Sequence, residues 1–149
     1  MYEPLTAYIP VLEKGFYGEW RMCEGSFPFV VYSWHLRELE EKIYCFADDR
    51  REEGFGDYSR ILEEHGITWG RDSMSKADVS ALDGKTVFAL LLGAVRAERQ
   101  CEGALLDFCE NGCVLRWLER LREADEEAAT ALCRRQEQEP ALMYPPEFR

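Results

Sequence analysis

The stretch that decides the fold is Val87–Leu121, which reads VFALLLGAVRAERQCEGALLDFCENGCVLRWLERL. From Phe88 to Leu92 it is apolar on nearly every side of a helix, which is typical of a helix surrounded by others. We therefore predict a central helix here, capped by Asp83. Gly93 in its middle costs about 1 kcal/mol relative to alanine. It is expected to allow close approach by another helix or a ligand.

Helical patterns also lie on both sides of this stretch. Downstream, one helix is predicted to end at Gly112 and another to follow it. Upstream, Ser33 is a good N-cap for a helix whose apolar residues repeat at helical spacing up to Phe46. Asp57 is predicted to cap a short helix that stops at Gly66. These patterns favour a mainly α architecture.

One segment favours a strand instead. Phe29–Tyr32 is aromatic and β-branched and follows a cluster of turn residues, and Trp20–Cys23 is its expected partner. The predicted fold class is therefore mainly α (α+β), a compact helical domain with a small β-hairpin or short sheet. Residues 1–149 are predicted to form a single domain, in which residues 124–149 are a helical and Pro-rich C-terminal extension.

The composition restricts the partners. The net charge of −11 argues against direct binding to nucleic acid, which needs a basic surface, and against binding to anionic membranes. No apolar run approaches a membrane span and the start lacks a signal-peptide pattern, so we expect a cytoplasmic protein. The six cysteines include no C-x-x-C pair and are expected to be reduced and structural. No metal site or cofactor is predicted.

The candidate ligand site begins with Arg96 and Arg99. They lie three residues apart on the central helix and could hold a phosphate or carboxylate. The alternative is an ion network, in which both arginines pair with nearby acidic residues, namely Asp72, Asp78, Asp107 or Glu102.

The second part of the candidate site is the segment from Ile67 to Met74, which has no clear periodicity and is predicted to be an edge strand or a functional loop. Within it, Trp69 is the predicted stacking surface. Asp72 and Ser73 are the predicted polar contacts, with Met74 beside them. The alternative for the tryptophans is that most of them are core or interface residues.

Catalytic motifs are not evident. The chain has no phosphate-binding glycine loop, no G-x-S-x-G and no histidine-based triad. Asp72, Asp78 and Glu98 remain as carboxylates for a hydrolase. We name no catalytic residue, and the absence of motifs favours a protein that is not an enzyme.

Several stretches together resemble a domain-of-unknown-function family of Gram-positive bacteria, their mobile elements and phages. The resemblance lies in residues 28–32, 66–74 with 77–79, and 93–99 with 103–106, and residues 8–10 and 116–121 also fit it. It covers roughly Tyr8 to Glu123. The resemblance implies a small intracellular protein, often encoded by a mobile element. It transfers no activity.

Three functions follow as hypotheses. The first is a non-catalytic protein, expected to be a homo-oligomer, that binds a small anionic, nucleotide-like ligand and acts as a phage or mobile-element sponge for nucleotide-derived immune signals. The second is an acidic protein-binding inhibitor that mimics nucleic acid and blocks a host defence protein. The third is a small hydrolase acting on a nucleotide-like ligand.

Overall fold

The structure is a computed structural model that describes residues 1–138. Within these residues the order of elements is α1 (Glu3–Thr6), α2 (Ile9–Glu13), β1 (Gly18–Arg21), β2 (Phe29–Tyr32), α3 (Trp34–Asp49), α4 (Tyr58–Glu63), α5 (Arg71–Lys76), α6 (Gly84–Gln100), α7 (Ala104–Glu110) and α8 (Cys113–Gln138). Short 3₁₀ helices span Arg51–Glu53, Phe55–Asp57 and Val79–Ala81. The predicted class, a mainly helical domain with a small hairpin, is confirmed.

Helix α6 is the centre of the molecule, as its apolar sequence predicts. Every residue from Thr86 to Val95 is buried, and α3, α4, α7 and α8 all pack against this helix. The Asp83 carboxylate accepts a hydrogen bond from the Thr86 backbone N–H at 3.0 Å, which confirms the predicted N-cap. The buried side chains of the described residues form one core cluster around α6.

The two strands form an antiparallel hairpin, as predicted, with Trp20 opposite Val30, but β1 begins at Gly18 and ends at Arg21 rather than spanning Trp20–Cys23. Glu102, just after α6, accepts a hydrogen bond from the Val30 backbone N–H at 2.9 Å and so ties the hairpin to the helical body. The Trp20 ring lies over Gly103, where a side chain would overlap it. Gly103 has φ of +90°, which glycine adopts without strain.

Two local predictions were wrong. Asp57 makes no capping hydrogen bond, and α4 begins without one. The segment Ile67–Met74 is neither a strand nor wholly a loop, because α5 begins at Arg71. Gly70 lies at the N-cap of α5 with φ of +154°. Buried Met74 sits inside this helix and packs under α6, which explains why the segment lacks the alternation of a strand.

Residue 124 lies inside α8, so the helical part of the predicted extension continues the helix that begins at Cys113. The Pro-rich end lies outside the described residues. Cys109 and Cys113 are buried, and the other four cysteines are exposed. No disulfide joins any of these six described cysteines, and only the two buried cysteines occupy the structural positions that were expected of all six. Across residues 1–138, we find no helix with the length and apolar character that a membrane crossing requires.

Candidate functional site

The two predicted arginines of α6 meet one aromatic ring of α3. The Arg96 guanidinium carbon lies 5.3 Å from the centroid of the Tyr44 ring, and that of Arg99 lies 4.9 Å away. Both distances fall within the range of a cation–π interaction. Burial raises the pKa of Tyr44, although the charges of Arg99 and Arg96 act in the opposite direction. The phenol therefore stays protonated at neutral pH.

The alternative ion network is wrong for the part of the chain that the structure describes. Neither Arg96 nor Arg99 has a carboxylate within salt-bridge distance there. The acidic residues considered as partners make other contacts or lie exposed. Asp107 pairs with Arg71 at 2.7 Å, and Asp78 accepts hydrogen bonds from Ser80. Arg96 and Arg99 thus contact an aromatic face and form no salt bridge with the described residues.

Arg96 also carries an unsatisfied donor. Its Nε is buried and has no hydrogen-bond partner among the described residues. A buried donor without an acceptor costs about 1–3 kcal/mol. An oxygen brought by a ligand would remove that cost, after a small movement of the side chain.

Arg96 forms one wall of a cleft of about 300 Å³ between α3 and α6. This volume is at the lower limit of common ligand sites. The cleft has a cationic wall, an aromatic side and one carboxylate, that of Asp48. Its lining residues are Tyr44, Ala47, Asp48, Arg51, Phe55, Gly56, Leu92 and Arg96. Such a lining suits an anion attached to a flat or apolar group, with a donor facing the carboxylate.

Trp69, the predicted stacking surface, is half-buried and does not line this cleft. Its indole N–H donates to the backbone carbonyl of Gly93 at 2.9 Å. Its ring stands edge-on to Tyr58, with centroids 5.9 Å apart. Gly93 was expected to allow another helix or a ligand to come close to α6. The side chains that come close are those of Trp69 and Met74.

The other predicted ligand contacts lie on α5. Met74 is fully buried against Gly93, one helical turn before Arg96. The Ser73 hydroxyl accepts a hydrogen bond from the Thr68 backbone N–H at 2.8 Å, which holds the start of α5. Asp72 is exposed and lines a separate surface depression that also includes Asp107. The structure therefore brings Arg96 and Arg99 together at Tyr44, but only Arg96 lines the cleft, and the loop residues lie elsewhere.

Tyr44 and Arg51 are the site residues that the sequence analysis missed. Tyr44 follows buried Ile43, and nothing in the helical pattern separates it from an ordinary boundary residue. Arg51 belongs to the charged run after α3, which resembles a solvated helix end. The 3₁₀ turn at Arg51–Glu53 bends this run back toward α6, and that bend could not be predicted from charge.

Glu98 has a different role from its arginine neighbours. Its carboxylate accepts hydrogen bonds from the Tyr32 hydroxyl at 2.5 Å and from the backbone N–H groups of Gly103 and Leu105 at 3.0–3.1 Å. The Tyr32 oxygen accepts from the Leu106 N–H at 3.0 Å. Burial and the bond to Glu98 raise the pKa of Tyr32 far above its usual value. This carboxylate holds the start of α7.

Metal ligation has no support in residues 1–138, where no group of three or more His, Cys, Asp or Glu side chains could hold an ion.

The model of a family of unknown function (DUF6508) matches residues 65–127. The matched region contains α5, α6 and α7 and the first part of α8, but not Tyr44 or the hairpin. The resemblance expected from the sequence began earlier, at Tyr8, and ended at Glu123. No curated protein and no solved structure matches the chain. The cleft therefore lies between α6, which is inside the matched region, and α3, which is outside it.

Proposed function

We propose that the protein binds a small anionic ligand in the cleft between α3 and α6 and does not transform it. The observation that carries this proposal is Arg96, whose Nε is buried without a hydrogen-bond partner at the wall of a 300 Å³ cleft. The chain has a net charge of −11, so acidic partners for an arginine are abundant. An arginine that nevertheless packs on Tyr44 is available for an anion.

The lining favours a phosphate or carboxylate attached to a ring. A guanidinium group can bind such an anion through two parallel hydrogen bonds. Arg51, on the opposite side of the cleft, supplies a second cation. The Asp48 carboxylate favours a ligand that places an amine or hydroxyl near it and disfavours a second anion there. A nucleotide has both an anion and a ring with exocyclic donors.

Retention of the ligand, rather than turnover, is favoured by the same lining. Its one carboxylate is Asp48, and the lining includes no histidine or cysteine. The hydrolase hypothesis needs Asp72, Asp78 or Glu98, and none of the three lines this cleft. Glu98 is occupied by three donors of the fold, and Asp78 by Ser80. General acid–base catalysis requires titratable groups within hydrogen-bond reach of the substrate, and this lining offers Asp48 and Tyr44 without a second carboxylate.

The resemblance to proteins of mobile elements and phages suggests a biological role for such binding. Within this proposal the protein is a cytoplasmic homo-oligomer that sequesters nucleotide-derived immune signals. The role rests on that context and is an analogy.

Calorimetry with defined probes tests the proposal. The probes are adenosine 5′-monophosphate, a cyclic dinucleotide, adenosine and inorganic phosphate. We expect a phosphate-bearing nucleotide to bind, adenosine to bind at least tenfold more weakly, and the bound nucleotide to be recovered unmodified. Arg96→Met keeps the aliphatic contact with Tyr44 but removes the charge, and it should weaken binding more than tenfold.

Arg60→Met is the matched control, because Arg60 is an exposed arginine of α4 outside the cleft lining. It should bind like the wild type. Equal binding by both variants, or no heat with any of the four probes, would reject the cleft as the ligand site. Conversion of the nucleotide to a product would favour the hydrolase hypothesis.

The acidic-inhibitor hypothesis has one observation in its favour. From Arg122 to Gln136 of α8 every side chain is exposed or half-exposed. Glu123, Glu126 and Glu127 line a groove of about 490 Å³ along this part. We propose as the second candidate that this surface contacts a basic protein. Replacing Glu126 by lysine should then abolish a salt-sensitive complex and leave nucleotide binding unchanged.

A further inference from the structure

The β-hairpin exposes an unusual amount of apolar surface. Five large apolar side chains on or beside it are at least half exposed: Phe16 61%, Trp20 50%, Met22 73%, Phe27 90% and Trp34 68%. Large side chains of this kind have a surface of about 150–250 Å² each. Their exposed fractions together therefore offer roughly 700 Å². A standard protein interface buries about 800 Å² on each partner. The hairpin and the residues beside it therefore approach the area of one side of a stable interface.

The hairpin also has an open backbone edge. Strand β1 pairs with β2 and with no other strand of the described residues. The Ser33 N–H donates to the Tyr17 carbonyl, and the Val30 N–H points away from β1 to Glu102. In an antiparallel ladder these directions alternate. The N–H and C=O of Trp20, opposite Val30, consequently point outward from the free edge of β1, as do those of Gly18.

We propose that a second copy of this chain docks on this edge, so that the two β1 strands pair antiparallel about a two-fold axis at Trp20. The two Trp20 residues then exchange a pair of backbone hydrogen bonds, and the two hairpins form one four-stranded sheet. Pairing on an exposed edge is a common mode of strand recognition. A two-fold axis makes the contact self-complementary and closed.

Charge complementarity favours a second copy over an unrelated strand. Glu19 and Arg21 project from the same face of β1, and within one chain their side chains pair at 2.7 Å. In the two-fold register, Glu19 lies opposite Arg21 of the partner subunit, and Arg21 opposite Glu19 of the partner subunit. Both ion pairs therefore re-form across the interface. The strand is its own electrostatic complement in this register.

The apolar side chains fit the same register. Gly18 lies opposite Met22 of the partner subunit, because two residues on either side of Trp20 face each other. The hairpin tip, with Met22 and Phe27, then comes beside the segment of the partner that leads into its β1. That segment contains the partner's Phe16. The most exposed apolar side chains of each chain are thereby covered by the other.

Sedimentation velocity over a range of protein concentrations tests this arrangement with a charge exchange. Arg21→Glu places two glutamates opposite two glutamates, and Glu19→Arg places two arginines opposite two arginines. Each cross-strand pair is worth about 0.2–1 kcal/mol. Reversing two of them should weaken dimerisation by about tenfold to a hundredfold. The side chains are 51% and 57% exposed, so the fold should be retained, as checked by circular dichroism.

Mixing the two single variants in equal amounts restores both opposite-charge pairs, and so does the double variant E19R/R21E. Both preparations should dimerise like the wild type. The proposal would be overturned if the wild type remains a monomer at 100 μM or more, which is on the order of the Kd of the weakest stable contacts. A mixture that behaves like the separate variants would overturn the register. An unaltered dimer in both single variants would place the interface elsewhere.

Discussion

The most informative perturbation is the removal of the Glu98 carboxylate. Glu98 holds three donors: the Tyr32 hydroxyl and the N–H groups of Gly103 and Leu105. It thereby links the hairpin to α6 and to the start of α7. A hydrogen bond to a charged group contributes about 1.5–3 kcal/mol, and an anion at a helix N-terminus about 0.3–1 kcal/mol more.

These values do not add fully, because Glu98 is half-exposed and water can replace part of what is lost. We expect Glu98→Ala to lower the free energy of unfolding by about 2–4 kcal/mol. Glu98→Gln keeps one acceptor oxygen but loses the charge, and it should cost about half as much. The assay is urea unfolding with linear extrapolation, in which the slope should stay unchanged.

The matched control is Glu102→Ala. It removes a carboxylate that accepts one hydrogen bond, from the Val30 backbone N–H. It should cost about 1 kcal/mol. A double-mutant cycle with Tyr32→Phe measures the coupling, which we expect to be about 1 kcal/mol or more, within the range for residues in one hydrogen-bond network. The reasoning fails if Glu98→Ala costs no more than the control, or if Glu98→Ala and Tyr32→Phe add within about 0.5 kcal/mol.

Two further predictions concern helix ends. Burial tends to raise the pKa of Asp83, but its hydrogen bonds to Thr86 outweigh burial and lower it. The stabilisation by Asp83 is therefore fully present above the ordinary carboxyl pKa. It is lost as the pH falls through the lower pKa that Asp83 has in the folded protein. Asp83→Ala should cost about 1 kcal/mol at pH 7 and less at pH 3 in urea unfolding, and a constant difference would contradict this. Asp83→Asn is the non-titrating control. Gly103 and Gly112 both have positive φ, but only Gly103 lies under the Trp20 ring. Gly103→Ala should therefore lower the free energy of unfolding by at least 1 kcal/mol more than Gly112→Ala does, which is roughly the penalty of overpacking. Equal losses in thermal unfolding would show that the ring moves away freely.

Most helix positions and two of the three predicted N-caps could be predicted because they depend on local sequence. The N-caps Ser33 and Asp83 need only a short side chain beside the first turn, and the structure confirms both. The run from Phe88 to Leu92 predicted the central helix because a helix that is apolar on all sides must be buried. The β-hairpin was predicted from β-branched and aromatic residues bounded by turn residues.

The candidate site could be predicted only in part, because its second half depends on tertiary packing. Arg96 and Arg99 are neighbours on one helix, so their proximity follows from helical spacing. Their contact with Tyr44 depends on how α3 crosses α6, and no local pattern encodes that crossing. Trp69 looked free because polar and glycine residues surround it. Its indole N–H instead finds the Gly93 carbonyl, as a partly buried tryptophan N–H usually finds an acceptor.

The charged residues at the end of α6 show how a single helical turn can serve two purposes. Successive residues of a helix are rotated by 100°, so Glu98 projects almost opposite the side that carries Arg96. The anion faces the hairpin and α7, where backbone N–H groups and the Tyr32 hydroxyl need an acceptor. The guanidinium groups of Arg96 and Arg99 face Tyr44, and no carboxylate of the described residues lies within salt-bridge distance of them. Glu98, the one acidic residue of α6, is bound by groups of the fold, whereas Arg96 lines the cleft without a salt-bridge partner among the described residues. This division is the physical basis for assigning the anion site to the Arg96 side of α6.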